Sequence, residues 1–170
     1  AEGAATIDVA ANTFTDAAGN NNTAADQFNW TYDNTAPTIS SVSLASTNST
    51  IAVTMSEAVY TTTDASTALV VGDFSLSISG GTATLSSATP SSISISGNVY
   101  TLGISLSATP LPNGSEVLTV VPASATAIYD AAGNAAAASQ SNNTATLNEK
   151  IAPTMTIATT LEGTLAVTTL

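Results

Sequence analysis

The 170-residue chain carries one basic residue, Lys150, against twelve acidic ones, for a formal net charge of −11, so it has almost nothing with which to neutralise phosphates; nucleic-acid binding is excluded and anionic membrane surfaces are disfavoured. It has no Cys and no His, which removes most of the usual machinery for nucleophilic catalysis and transition-metal binding, and no enzymatic activity is expected. Charged residues make up only 8%, yet 44% are apolar in regular alternation, enough to build a core rather than a disordered chain.

In chain order, period-two alternation marks a series of short strands. The first pairs Ile7 with Val9. Phe28, Trp30 and Tyr32 then alternate with Asn29 and Thr31, and read as a half-buried strand whose rings enter a sandwich core. Val42 with Leu44 follows, then Ile51, Val53 and Met55, then Phe74, Leu76 and Ile78, then Ile93 with Ile95. Tyr100, Leu102, Ile104 and Leu106 make the longest alternating run. Leu118 with Val120, Leu147 near Ala145, and Leu165 with Val167 complete the series. Only residues 64–71 and 135–139 leave room for a helical turn.

Turn chemistry separates these runs. Gly80-Gly81, Gly97-Asn98, Asn113-Gly114 and Gly133-Asn134 tolerate positive φ, and Pro90, Pro110, Pro112 and Pro122 lie between alternating segments, where a missing N–H does no harm. Many short strands spaced by turns imply an all-β, antiparallel sandwich or barrel. The apolar runs are too short to span a bilayer, so no membrane insertion is expected. Absence of Cys argues against a disulfide framework without arguing against secretion. No leader segment is legible, and targeting information is expected outside this stretch.

One pentapeptide organises the rest. Asp16-Ala17-Ala18-Gly19-Asn20 recurs letter for letter as Asp130-Ala131-Ala132-Gly133-Asn134, an interval of 114, and Ala36-Pro37-Thr38 returns as Ala152-Pro153-Thr154, an interval of 116. That period fits one β-sandwich domain and is too long for a solenoid unit. The chain therefore reads as a slice from a tandem array. Residues 1–34 would be the C-terminal strands of one unit, 38–149 a complete unit, and 153–170 the first strands of a third. The linkers 33–36 and 149–152 are short and each runs into a proline, which restricts the angle between units.

Phe14-Thr15-Asp16-Ala17-Ala18-Gly19-Asn20, then Phe28-x-Trp30-x-Tyr32-Asp33, then Thr35-Ala36-Pro37-Thr38 resembles tandem bacterial immunoglobulin-like repeats, and Val53-Thr54-Met55-Ser56-Glu57-Ala58-Val59 is similar to that family's second strand. The resemblance covers essentially the whole chain. It implies immunoglobulin-like sandwiches in a giant secreted adhesin or cell-surface protein, extracellular, with neighbouring repeats as partners. The second unit lacks the Phe-x-Trp-x-Tyr strand and has Thr144-x-Thr146-Leu147 instead, so two alternating repeat types are expected.

In that implied topology the loop before the last strand, the end of the second strand and the incoming linker share one pole. Asp33, Asn34, Glu57, Asp130 and Asn134 would then gather at the joint between units. Asp16 and Asn20 would serve the preceding joint, and Glu149 would stand in for Asp33 at the following one, beside Lys150. Clustered carboxylates and amide carbonyls without a basic partner suit a hard cation, and calcium, which takes six to eight oxygens, is the cofactor the resemblance implies. The competing reading is that Asp-x-x-Gly-Asn is a turn on its own terms, Asp accepting from backbone N–H groups and Gly taking the left-handed position.

Two functions follow. The leading one is a non-catalytic structural repeat of a stalk, filament or adhesin array. The alternative is an adhesin module gripping a carbohydrate or cell-surface ligand, for which Phe28, Trp30 and Tyr32 are the aromatic candidates.

Overall fold

A computed structural model describes residues 2–159 and 165–169. It is all-β with antiparallel sheets; among the described residues there is no α-helix. The strands are β1 (Gly3–Ile7), β2 (Phe28–Tyr32), β3 (Ile39–Leu44), β4 (Thr50–Met55), β5 (Phe74–Ser79), β6 (Ile93–Ser96), β7 (Val99–Gly103), β8 (Val117–Pro122), β9 (Thr144–Thr146), β10 (Met155–Thr159) and β11 (Leu165–Thr169).

Strands β3 to β9 form two sheets around one core. The first has the order β3-β4-β7-β6, the second β5-β8-β9. Alternation explains why they face each other. Ile51, Val53 and Met55 of β4 and Tyr100 and Leu102 of β7 point to the same side as Ile39. Across from them stand Phe74 and Leu76 of β5, Leu118 and Val120 of β8, and Leu147 just past β9, all buried in one cluster. At about 25 cal/mol for each Å² of apolar surface removed from water, each such aliphatic side chain contributes about 1.5–3 kcal/mol. The polar residues between them, Thr54, Ser75, Thr101 and Thr119 among them, lie on the outer faces, as a sandwich with one wet side requires.

The remaining strands form two separate pairs, β1 with β2 and β10 with β11. The first pair repeats the register of β8 with β9. Gly3 opposes Tyr32, Ala4 opposes Thr31 and Ala5 opposes Trp30; 114 positions on, Val117 opposes Thr146, Leu118 opposes Ala145 and Thr119 opposes Thr144.

Several expectations need correction. The rings of Phe28, Trp30 and Tyr32 are not half-buried: they are 62%, 41% and 49% exposed. They share a face with Ala5 and Ile7 on a two-stranded sheet, and among the described residues no second sheet lies over it. Val9 falls outside β1. Ile104 and Leu106 fall beyond the end of β7, where the chain turns to an isolated bridge between Leu85 and Leu106. Residues 135–139 hold no helical turn, because Ala135 is bridged to Tyr129 and Ala136 donates its N–H to the Ile128 carbonyl. Near residues 64–71 the one helical element is a single 3-10 turn at Val71–Asp73.

Candidate metal centre

Three chain segments meet at the end of the sandwich where β3 begins. The linker after β2 delivers Asp33, the segment after β4 delivers Glu57, and the loop between β8 and β9 delivers Asp130. Reciprocal hydrogen bonds between the segments set their placement. Thr38 and Ser56 are joined by Ser56 N–H to Thr38 O at 2.8 Å and by Thr38 N–H to Ser56 Oγ at 3.0 Å. Tyr60 and Tyr129 exchange N–H···O bonds of 2.7 and 2.8 Å, which tie the stretch after Glu57 to the stretch before Asp130. Carboxylate oxygens of Asp33, Glu57 and Asp130 consequently lie within 4.8 Å of one another, Asp130 buried and the other two half-buried.

Asp130 is committed mostly to its own loop. Its Oδ1 accepts from Ala132 N–H and Asn134 N–H, both at 2.8 Å, and its Oδ2 accepts from Asn134 Nδ2 at 2.8 Å. Gly133, at φ +87°, makes the left-handed step this turn needs, and a Cβ there would meet the Thr63 carbonyl oxygen at 3.1 Å. Asn134 Nδ2 also reaches the Asp33 carbonyl oxygen at 3.3 Å, so the amide turns its nitrogen, which cannot ligate a cation, toward Asp33 and Asp130. Asp33 accepts from Thr35 N–H at 2.9 Å. Burial first, then the negative charges of Asp130 and Asp33, push the Glu57 carboxyl above the ordinary glutamate value, offset in part by the Ser56 hydroxyl.

Two oxygens on one calcium at about 2.4 Å stand at most about 4.8 Å apart, so this donor set fits such an ion. Asp33, Glu57 and Asp130 would supply carboxylate oxygens, with backbone or water completing the shell. Asn34 is exposed, and what holds it is its backbone N–H, donated to Glu2 Oε1 at 3.1 Å. Asp16 and Asn20 form a separate, exposed turn, Asn20 Nδ2 donating to Asp16 Oδ2 at 2.9 Å. The Glu149 carboxylate accepts from Ile151 N–H, the counterpart of the Asp33 to Thr35 bond.

Two further acids matter that alternation and motif reading pass over. Glu2 also accepts from the Thr35 hydroxyl at 2.7 Å, tying the start of β1 to the linker. Glu116 is fully buried, and its carboxylate accepts from the N–H groups of Thr82, Ala83, Asn113 and Gly114 at 2.9–3.2 Å. Those backbone bonds, Ala83 foremost, overcome burial and hold its carboxyl at about 2. Gly81, at φ +56°, has no room for a Cβ because the Glu116 side chain occupies that space. The only signal in sequence is an acid between the turn Asn113-Gly114 and an apolar run; two of its donors, Thr82 and Ala83, come from a loop more than thirty residues away.

No protein-family model, no curated protein and no solved structure matches the chain.

Proposed function

We propose that this chain is a segment of a tandem array of immunoglobulin-like β-sandwich repeats, a non-catalytic structural part of a large secreted bacterial surface protein, and that calcium bound by Asp33, Glu57 and Asp130 stiffens the joint before the complete unit. The observation that carries the reading is the shared register of β1–β2 and β8–β9 at an interval of 114 residues, the interval at which the pentapeptide recurs. The order β3-β4-β7-β6 over β5-β8-β9 supports it, since constant-type immunoglobulin sandwiches arrange their strands as ABED over CFG. The carboxylate cluster supports the calcium part, because three acids brought that close repel unless a cation relieves them. In this reading the partners are neighbouring repeats, the place is the bacterial cell surface, and the work is reach and stiffness.

The test is a thermal melt of the full chain in calcium and in chelator, repeated for Glu57→Gln. A ligand bound only to the native state stabilises by roughly 2.7 kcal/mol at a hundredfold excess over its Kd. A calcium-dependent rise in Tm that the variant loses supports the joint. An identical melt in both conditions removes calcium from the proposal and leaves a metal-independent repeat.

The exposed rings of Phe28 and Trp30, with centroids 5.9 Å apart, favour the alternative of a carbohydrate-binding adhesin module. Glycan-array binding abolished by Trp30→Ala would support it over the structural reading.

A further inference from the structure

We propose that residues 148–150 form a strap that fixes, without any cation, the direction in which the chain leaves the sandwich, so that the pivot toward the residues beyond is confined to 151–154. The strap is fastened at three points. Asn48, buried in the β3–β4 turn at φ +61°, donates Nδ2 to the Asn148 carbonyl at 2.7 Å, and its Oδ1 accepts from both Asn148 N–H and Asn148 Nδ2 at 2.9 Å. Asn148 Nδ2 also reaches the Ala45 carbonyl at 3.1 Å. Lys150 is held at both ends: its N–H donates to the Pro112 carbonyl at 2.9 Å and its ammonium to the Ser46 carbonyl at 2.8 Å. Between them Glu149 lies beside Gly114, where an added Cβ would stand 3.4 Å from the Glu149 Cβ. Gly114 itself is pinned by the Glu116 carboxylate at 3.1 Å.

These contacts join the extension of β9 to the β3–β4 turn, across about a hundred residues of sequence, and to the nearer 112–114 loop. They use carbonyls, amides and the ammonium of the chain's one lysine, and none of them needs a metal. Beyond Lys150, Ile151 is exposed with its N–H turned back to the Glu149 carboxylate, and Pro153 removes an N–H, so fastening to the sandwich stops there.

Lys150 is also the chain's only Lys or Arg, so a lysine-specific endoprotease has one bond to cut, between 150 and 151. To be cut, the lysine must leave Ser46 and the strap must open; the rate then follows the population of the open form. The full chain is expected to be cleaved at least about a hundredfold more slowly than a peptide of residues 143–157, with equal rates in calcium and chelator. Asn48→Gly, which keeps the left-handed turn and removes the amide, should speed cleavage by roughly tenfold or more, as should Asn148→Ala, which alters an exposed side chain and keeps the fold testable if the first variant melts. Cleavage of the wild-type chain at the peptide's rate, rates unchanged in both variants, or a chelator-dependent rate would each overturn the strap.

Discussion

Asp16 and Asp130 hold their loops by the same three bonds. In each, Oδ1 accepts from the N–H groups two and four residues on, and Oδ2 accepts from the side-chain amide of the asparagine four residues on, at 2.8–2.9 Å throughout. The surroundings differ completely. Asp16 is exposed, with nothing near the missing Cβ of Gly19, whereas Asp130 is fully buried and Gly133 abuts Thr63. The pentapeptide therefore closes its turn from local bonds alone, and at Asp16 those bonds, the Asn20 side chain first, hold the carboxyl below the ordinary aspartate value.

Asp130→Ala should accordingly weaken the sandwich with or without calcium. It strands the N–H groups of Ala132 and Asn134, a loss on the order of 2–3 kcal/mol in urea unfolding, while Asp16→Ala leaves that transition in place. A deficit that appears only in calcium would instead mean that the turn contributes nothing by itself.

Glu57 gives the opposite sign. Its folded-state carboxyl is raised, so its contribution is fully present below the unfolded value near 4.5 and is lost as pH rises through the folded one. In chelator, Glu57→Gln should therefore melt higher than wild type at pH 7, with the gap shrinking toward pH 4. Calcium should narrow the same gap at pH 7 by restoring wild-type stability. Melts at pH 4, 5.5 and 7 decide it; a variant that melts lower in chelator at pH 7 contradicts the repulsion.

Glu116 behaves as a depressed carboxylate. Its contribution is present above the unfolded value near 4.5 and is lost as pH falls through about 2. Glu116→Gln should lower Tm by about 5–10 °C at pH 7, since an amide cannot accept from the same four donors. The difference from wild type should close progressively between pH 4.5 and 2. A constant difference across that range would show that packing, rather than charge, holds the two loops.

Trp30 reports on the β1–β2 pair alone. Its emission in the 170-residue chain should be that of a wet indole, open to acrylamide, and should not shift when far-UV dichroism records melting of the sandwich. A blue-shifted, protected Trp30 would mean that the apolar face bearing Phe28 and Ile7 is covered in solution.

What was legible in the sequence follows from the range of the interactions. Alternation placed β4, β5, β7 and β8, because Ile51, Phe74, Leu102 and Val120 each declare a face within a few residues. The pentapeptide turn was legible for the same reason, since Asp16 and Asp130 find all their donors within four residues. Burial was not. Phe28, Trp30 and Tyr32 carry a core pattern, but burial depends on an opposing sheet that the local sequence does not contain. Asn48 and Asn148 were silent because each pairs with the other a hundred residues away, and Glu116 because Thr82 and Ala83 lie more than thirty residues off; a single Glu or Asn among many has no period.

The contact between Gly81 and Glu116 has an evolutionary corollary. A side chain at 81 needs the carboxylate gone, while losing the carboxylate leaves four backbone donors bare. Neither position can drift first without cost, so in descendants of this sequence the two should be retained as a pair or exchanged as a pair, and a library randomised at both should recover them jointly.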